Sequence, residues 1–177
     1  MMHQQTRFAY AEGDKFQAVR LPYLGGEIAM VVLLPREGHF EAFEGSLEAN
    51  KLNEIIEDME TKEVKLALPK FEFEADYRLE KTLSDLGMPV AFEQGAADFS
   101  GMTGNRELFI SDAIHKTFVS VDEKGTEAAA VTAIAMAASA PPSGPVDFTA
   151  NRPFIFLIQD IETGAILFIG RVMNPAA

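Results

Sequence analysis

Side chains that could act as a nucleophile or a general base are few in this sequence and poorly arranged for hydrolysis. Histidines occur only at His3, His39 and His115. His115 has Asp112 nearby, but strand periodicity puts positions three apart on opposite faces. No Gly-x-Ser-x-Gly elbow is present. With no cysteine, a thiolate nucleophile, a thiolate metal site and a disulfide are excluded. We therefore predict neither an enzyme nor a bound metal or cofactor.

One segment has a different chemical character. Residues 125–140 are rich in alanine and carry no charge after Glu127, and a proline-rich stretch from Pro141 to Pro145 follows. Alanine has the highest helix propensity, so a helix is one interpretation. The same residues also alternate as a strand does, with Thr126, Ala128 and later small or apolar residues on one face. A segment compatible with loop, helix or strand is suited to a conformational switch.

The acidic balance of the chain narrows the choice of partners. The sequence has 27 acidic and 15 basic residues, giving a formal charge of −12. Such a surface repels nucleic-acid phosphates and anionic lipids. Its longest apolar runs, 28–34 and 165–170, are too short to span a membrane, and no signal peptide is recognised. Neither a nucleic acid nor a membrane is expected as a partner.

The remaining sequence predicts an α+β protein, with mostly antiparallel sheets and a few helices. Residues 15–23 and the apolar run 28–34 flank a turn at 24–27 and predict a hairpin. Residues 154–159 and 165–172 predict a second hairpin. These two hairpins contain the densest apolar runs, so we expect them to pack together as a mostly antiparallel core.

Four further elements are predicted with less regular patterns. Residues 46–59 predict a helix with Ser46 as its N-cap. Period-two alternation from Val64 to Phe73 predicts one long strand. Residues 77–86 predict a helix that ends at Gly87, where a positive φ is expected, and residues 108–121 predict a strand. No linker or repeat divides the chain.

Five short motifs, in this order along the chain, resemble those of the serpin family, and the resemblance covers all 177 residues. They are Leu68-Pro69-Lys70-Phe71, Asp98-Phe99-Ser100-Gly101-Met102, the hinge-like segment 123–132, the signature-like segment 148–156, and Gly170-Arg171-Val172-Met173-Asn174-Pro175. The chain is identified as a member of this family, of prokaryotic type. The resemblance implies that residues 1–177 form the C-terminal half of one serpin domain, with several sheets, and that the N-terminal half is absent. It also favours an extracellular or periplasmic location.

The resemblance further implies an irreversible suicide-substrate inhibitor of serine-type proteases. In the family, a protease cleaves an exposed reactive loop and is held as a covalent acyl complex while the loop inserts into a sheet as a new strand. Insertion requires small, uncharged side chains on the inward face of the hinge, which Thr126, Ala128, Ala130 and Thr132 provide. The hinge residues implied are Glu123, Gly125, Thr126, Glu127, Ala128, Ala129, Ala130 and Thr132.

Counting along the loop as the family does puts the reactive bond at Ser139-Ala140. The loop is about three residues longer than in common relatives, so Met136-Ala137 and Ala138-Ser139 remain alternatives. Small side chains suit an elastase-like protease and Met136 suits a chymotrypsin-like one. A trypsin-like target is not expected, because no lysine or arginine lies between Glu127 and Arg152.

His115 matches a family histidine that acts as a structural latch where the main sheet parts. Taken by itself, the same residue is predicted to be a core histidine satisfied by hydrogen bonds. Two alternatives to inhibition remain: a non-inhibitory carrier or chaperone with the serpin fold, and an inactive serpin fragment. The uncharged hinge favours inhibition over the carrier.

Overall fold

A computed structural model describes residues 1–122 and 144–175 of the chain. These residues form two compact units, one containing Met1–Phe71 and Val121–Ala177 and the other containing Glu72–Ser120. The strands are β1 (Met2–Gly13), β2 (Phe16–Pro22), β3 (Ile28–Pro35), β4 (Glu60–Leu68), β5 (Phe71–Arg78), β6 (Ile114–Val121), β7 (Val146–Thr149), β8 (Phe154–Asp160) and β9 (Ile166–Val172). The helices are α1 (Phe40–Gly45), α2 (Ala49–Glu57), α3 (Glu80–Asp85) and α4 (Ser100–Thr103), with a 3-10 turn at Val90–Phe92. The α+β prediction is confirmed.

Seven strands of the first unit form one sheet in the order β7-β4-β1-β2-β3-β8-β9. All neighbouring strands are antiparallel except β4 and β7, which are parallel. The two predicted hairpins, β2-β3 and β8-β9, lie side by side because β3 pairs with β8. The expected antiparallel core is therefore confirmed.

Strand β3 is the centre of this core. Its residues from Ala29 to Pro35 are buried on both faces, as an unbroken apolar run predicts. One side is covered by α2, whose Leu52 and Ile55 pack in the same cluster as Val31 and Leu33. Ile56 and, just beyond the helix, Met59 also pack against that cluster.

The predicted start of that helix is wrong. Ser46 ends the short helix α1, and its hydroxyl donates 2.9 Å back to the carbonyl of Phe43. Helix α2 begins after Glu48, whose extended backbone precedes the first turn. A serine hydroxyl can serve either end of a helix, because it can donate as well as accept a hydrogen bond.

The single long strand predicted for residues 64–73 is also wrong. It is divided at Pro69-Lys70 into β4, which belongs to the seven-stranded sheet, and β5, which pairs with β6 in a second sheet of two strands. Proline lacks the N–H that would continue a ladder. The apolar residues Leu68 and Phe71 are three positions apart, so the alternation of side chains changes phase at the break, a sign that the prediction did not use.

The second unit contains the two-stranded ribbon of β5 and β6. Glu72 of β5 contacts Ser120 of β6, and Asp76 of β5 contacts Lys116 of β6. Residue numbers rise along one strand as they fall along the other, so the ribbon is antiparallel. The predicted strand at 108–121 begins only at Ile114, and the predicted helix at 77–86 shortens to α3. Gly87 follows α3 with φ +105°, as predicted.

Candidate functional site

The residues with the most specific predicted role lie outside the described part of the chain. They are the hinge residues Glu123, Gly125, Thr126, Glu127, Ala128, Ala129, Ala130 and Thr132 and the reactive-bond candidates Met136, Ala137, Ala138, Ser139 and Ala140. The structure does describe the strands on either side of them. Strand β6 precedes the segment and β7 follows it, so residues 123–143 connect the two-stranded sheet to the seven-stranded sheet.

On the N-terminal side, β6 is held to β5 by exposed polar pairs. Ser120 donates to Glu72 at 3.0 Å, and Lys116 contacts Asp76 at 3.1 Å. In β6, only Val119 and Val121, at the C-terminal end of the strand, are buried. Exposed ion pairs of this kind contribute little, typically below about 1 kcal/mol. The strand that leads into the predicted hinge is therefore anchored mainly at its end.

His115 lies on β6 and is exposed. Its Nε2 lies 2.9 Å from the hydroxyl of Thr117, and its ring stacks on Tyr77 with centroids 6.4 Å apart. The interpretation as a core histidine is wrong for this structure, because the two-stranded ribbon leaves that face open. The role of latch stays a prediction.

Asp112 is not positioned to assist His115 as a base. Its carboxylate lies 3.2 Å from Nη1 of Arg78, and it lies before the start of β6 rather than within it. Within residues 1–122 and 144–175, no group of three or more histidine, aspartate or glutamate side chains could hold a metal ion. None of the described helices is long and apolar enough to cross a membrane.

On the C-terminal side, the signature-like residues are core residues. Phe148, Phe154 and Phe156 are all buried, and the ring of Phe71 contacts those of Phe154 and Phe156 at 5.8 and 5.2 Å. The motif that contains Phe71 and the motif at 148–156 thus meet in one aromatic cluster. These residues fix the strand that follows the predicted loop.

Arg152 connects that signature to a distant part of the chain. Its Nε donates 2.7 Å to the carbonyl of Pro35, at the end of β3. The amide of Ala150 donates 2.8 Å to the carbonyl of Ala67 in β4. The side chain of Arg152 and the backbone of Ala150 therefore bind the signature segment to β3 and β4.

Two aspartates, Asp98 of the second motif and Asp160 between β8 and β9, stabilise tight turns. Asp98 accepts from the backbone N–H and the hydroxyl of Ser100 at 3.1 and 2.6 Å, and these bonds, with Arg106 nearby, lower its pKa. Asp160 accepts in the same way from Thr163 in the turn between β8 and β9, which lowers its pKa too. A hydrogen bond to the ionised form favours it. Both residues act on structure rather than on a substrate.

Several contacts could not be seen in the sequence. Nη1 of Arg171 in the last motif lies 2.9 and 3.0 Å from the two carboxylate oxygens of Glu44, and Arg152 reaches Pro35. The only sequence signal for these contacts was that each arginine lies within a family-like motif. A motif does not indicate which residue the arginine contacts.

The fold, the motif contacts and the strands around residues 123–143 define the class of protein. Residues 1–175 match the family described as Serpin (serine protease inhibitor), and the chain belongs to that family. It is 50% identical over 177 residues to an uncharacterized serpin-like protein of Thermococcus kodakarensis, covering 99% of this chain and 41% of that protein.

Comparisons with a human protein and with a solved structure indicate the same family. The chain is 42% identical to the human leukocyte elastase inhibitor, covering 99% of this chain and 48% of that protein. It is similar to the crystal structure of a thermophilic serpin, tengpin, in the native state, with 34% identity and a TM-score of 0.77 over 97% of this chain and 46% of that one. The serpin fold is thereby confirmed, and the chain spans less than half the length of these relatives.

Proposed function

We propose that this chain is the C-terminal half of a serpin domain and supplies the reactive loop of an irreversible inhibitor of elastase- or chymotrypsin-like serine proteases. The observation that carries the proposal is the uncharged hinge at Thr126, Ala128 and Ala130 in a chain that belongs to the serpin family. The human relative is called leukocyte elastase inhibitor, which supports the class of target. The protease would be bound covalently to this chain, and the catalytic residues would be those of the protease.

The proposed chemistry begins as ordinary proteolysis. The protease serine attacks the carbonyl carbon of Ser139, or of Met136 or Ala138 if the loop is counted differently, and forms an acyl ester. The peptide bond breaks and the new amine of Ala140, or of Ala137 or Ser139, leaves with the proton relayed by the protease histidine. Inhibition results when the loop inserts into a sheet before water hydrolyses the ester.

Loop insertion is favoured by backbone pairing and by small side chains. About a dozen new ladder hydrogen bonds at roughly 1 kcal/mol each would release on the order of 10 kcal/mol. A charged side chain on the inward face would cost several kcal/mol if buried without a partner, typically about 2–7 kcal/mol even for a polar group. The alternation of Thr126, Ala128, Ala130 and Thr132 meets this requirement.

The proposal is tested with the chain joined to an N-terminal half that completes the fold. Incubation with pancreatic elastase or chymotrypsin should give an adduct that survives SDS, and the released peptide should begin between Ala137 and Pro141. Cleavage without an adduct across both proteases would favour the carrier or chaperone. A protein that is neither cleaved nor trapped would favour the inactive fragment.

The hinge is tested by a pair of charge substitutions. Thr126→Arg should keep cleavage but convert the inhibitor into a substrate, because insertion would bury a guanidinium on the inward face. Ala129→Arg adds the same charge on the opposite face of the alternation and should leave the stoichiometry of inhibition nearly unchanged. Equal effects of the two variants would contradict the proposed insertion.

A further inference from the structure

A cavity of about 430 Å³ lies in the seven-stranded unit, where the chain leaves β3 and where it approaches β8. Its wall contains two arginines, Arg36 and Arg152. The first follows the last residue of β3, and its backbone N–H donates 2.8 Å to the carbonyl of Lys15. The second comes just before Pro153 and β8. Two elements far apart in sequence therefore bring two guanidinium groups to one cavity.

The two guanidinium groups are not neutralised by direct ion pairs. Among residues 1–122 and 144–175, no carboxylate lies within salt-bridge distance of either group. Arg152 uses Nε on the carbonyl of Pro35, and its Nη1 only approaches Asn151 at 3.5 Å. Each guanidinium carries five N–H donors, so most donors of this pair remain available.

The charges around Arg152 act in opposite directions. Burial lowers the pKa of Arg152; of the two neighbouring charges, Glu37 has the larger effect and raises it, and Arg36 lowers it. The repulsion between Arg36 and Arg152 is therefore offset by Glu37. A carboxylate between the two guanidinium groups would accept hydrogen bonds from the N–H donors that none of the described residues uses.

The rest of the wall limits the kind of anion. Apolar surface is contributed by Phe40, Pro153 and Met173, the last of which is 51% exposed. Pockets for small organic ligands have volumes of about 300–1,000 Å³ and combine apolar walls with a few polar groups. Inorganic phosphate would leave the apolar wall in contact with water. An organic carboxylate with a hydrophobic body fits both parts of the wall.

We propose that this cavity binds a small organic carboxylate, with the carboxylate between Arg36 and Arg152 and the hydrophobic body against Phe40 and Met173. Planar guanidinium groups recognise carboxylates by paired hydrogen bonds. Glu37 and Glu41, which also line the cavity, compete with the ligand for the arginines. None of the residues that line the cavity belongs to the predicted hinge or reactive bond, so the proposal stands or falls independently of protease inhibition.

Equilibrium dialysis of the 177-residue chain against 3-phenylpropionate tests the site, with 3-phenylpropionamide as the uncharged probe of the same shape. We expect the acid to bind at least tenfold more tightly than the amide. Arg36→Gln should weaken binding of the acid about tenfold, which corresponds to about 1.4 kcal/mol. Arg36 is exposed, so this change is not expected to impair folding.

Two variants act as controls. Arg7→Gln removes the same charge from an exposed position on β1 that is not part of the cavity wall, and it should leave the affinity unchanged. Glu37→Gln removes one competing carboxylate and should tighten binding. Equal affinity for acid and amide, or equal losses from Arg36→Gln and Arg7→Gln, would overturn the proposal.

Discussion

The two sheets of this chain obtain their stability in different ways. In the seven-stranded sheet, β3 is buried from Ala29 to Pro35 and β8 is buried from Phe154 to Leu157. In the two-stranded ribbon, β5 has no buried residue and β6 has only Val119 and Val121. The seven-stranded sheet has extensive apolar burial, whereas the ribbon has exposed cross-strand polar pairs and little apolar packing beyond Val119, Val121 and the ring of Phe71.

This difference matters because the two kinds of contact differ in strength. Burying a large apolar side chain is worth about 1.5–3 kcal/mol, whereas an exposed ion pair such as Lys116–Asp76 typically contributes below about 1 kcal/mol. A two-stranded sheet is at best marginally stable in water by itself. The ribbon also presents Phe118 and Ile114 at 56% and 57% exposure. The strand leading into the predicted hinge therefore belongs to the less strongly held region.

A matched pair of phenylalanine truncations gives the largest expected contrast. Phe156→Ala, in β8 of the buried sheet, should reduce the free energy of unfolding by about 3–5 kcal/mol, because it removes a side chain that is 1% exposed. Phe118→Ala in the ribbon should cost less than about 0.5 kcal/mol. Urea denaturation followed by circular dichroism measures both. Similar losses would show that the ribbon is as firmly packed as the larger sheet.

High pH should weaken the buried sheet through Tyr10. Burial raises the pKa of Tyr10 from 10.0 to about 12; hydrogen bonds with Gln17 and Glu12 act in opposite directions. Since the folded pKa is the higher one, the contribution to stability is complete below pH 10 and is lost as the pH rises through about 12. The measurement is the midpoint of urea unfolding between pH 9 and 12.

Tyr10→Phe is the control for this pH dependence. It removes the titrating hydroxyl and should flatten the difference in unfolding midpoint between pH 10 and 12, although it loses the bonds to Glu12 and Gln17, both 2.9 Å long. A slope as steep as that of the unmodified chain would assign the effect to another group, such as Tyr23, whose pKa burial also raises.

Much of the buried sheet could be predicted from the sequence because its signals are local. An unbroken apolar run predicted β3, and turn residues between apolar segments predicted both hairpins. The break at Pro69-Lys70 had a local sign, because the alternation changes phase between Leu68 and Phe71, but no local pattern showed that β5 joins another sheet. Alternation reports that a residue lies in a strand, but not which strand is its neighbour.

The candidate site was predictable only in part, for a similar reason. The motifs predicted the family, since short segments carry that information, whereas the hinge and reactive bond lie outside the described residues and stay a prediction. The exposure of His115 was not predictable, because it depends on which strands cover its face. The bond from Arg152 to Pro35 joins residues separated by 117 positions, and no local pattern encodes such a contact.

The smallest expected effect compares one turn from each region. Hydrogen bonds from Ser100 lower the pKa of Asp98 in the ribbon unit, and those from Thr163 lower the pKa of Asp160 in the larger sheet. Because their folded pKa values lie below the unfolded ones, both carboxylates stabilise the fold above the unfolded pKa. This stabilisation is lost as the pH falls through the folded pKa.

Ser100→Ala should raise the pKa of Asp98 and leave that of Asp160 unchanged, and Thr163→Ala should do the reverse. Titration of the carboxyl carbons by NMR measures both. If the two turns are equally ordered, the two variants will raise the pKa of their aspartates by similar amounts. A clearly smaller rise in the pKa of Asp98 would mean that its turn is already partly open, as expected for the less strongly held region.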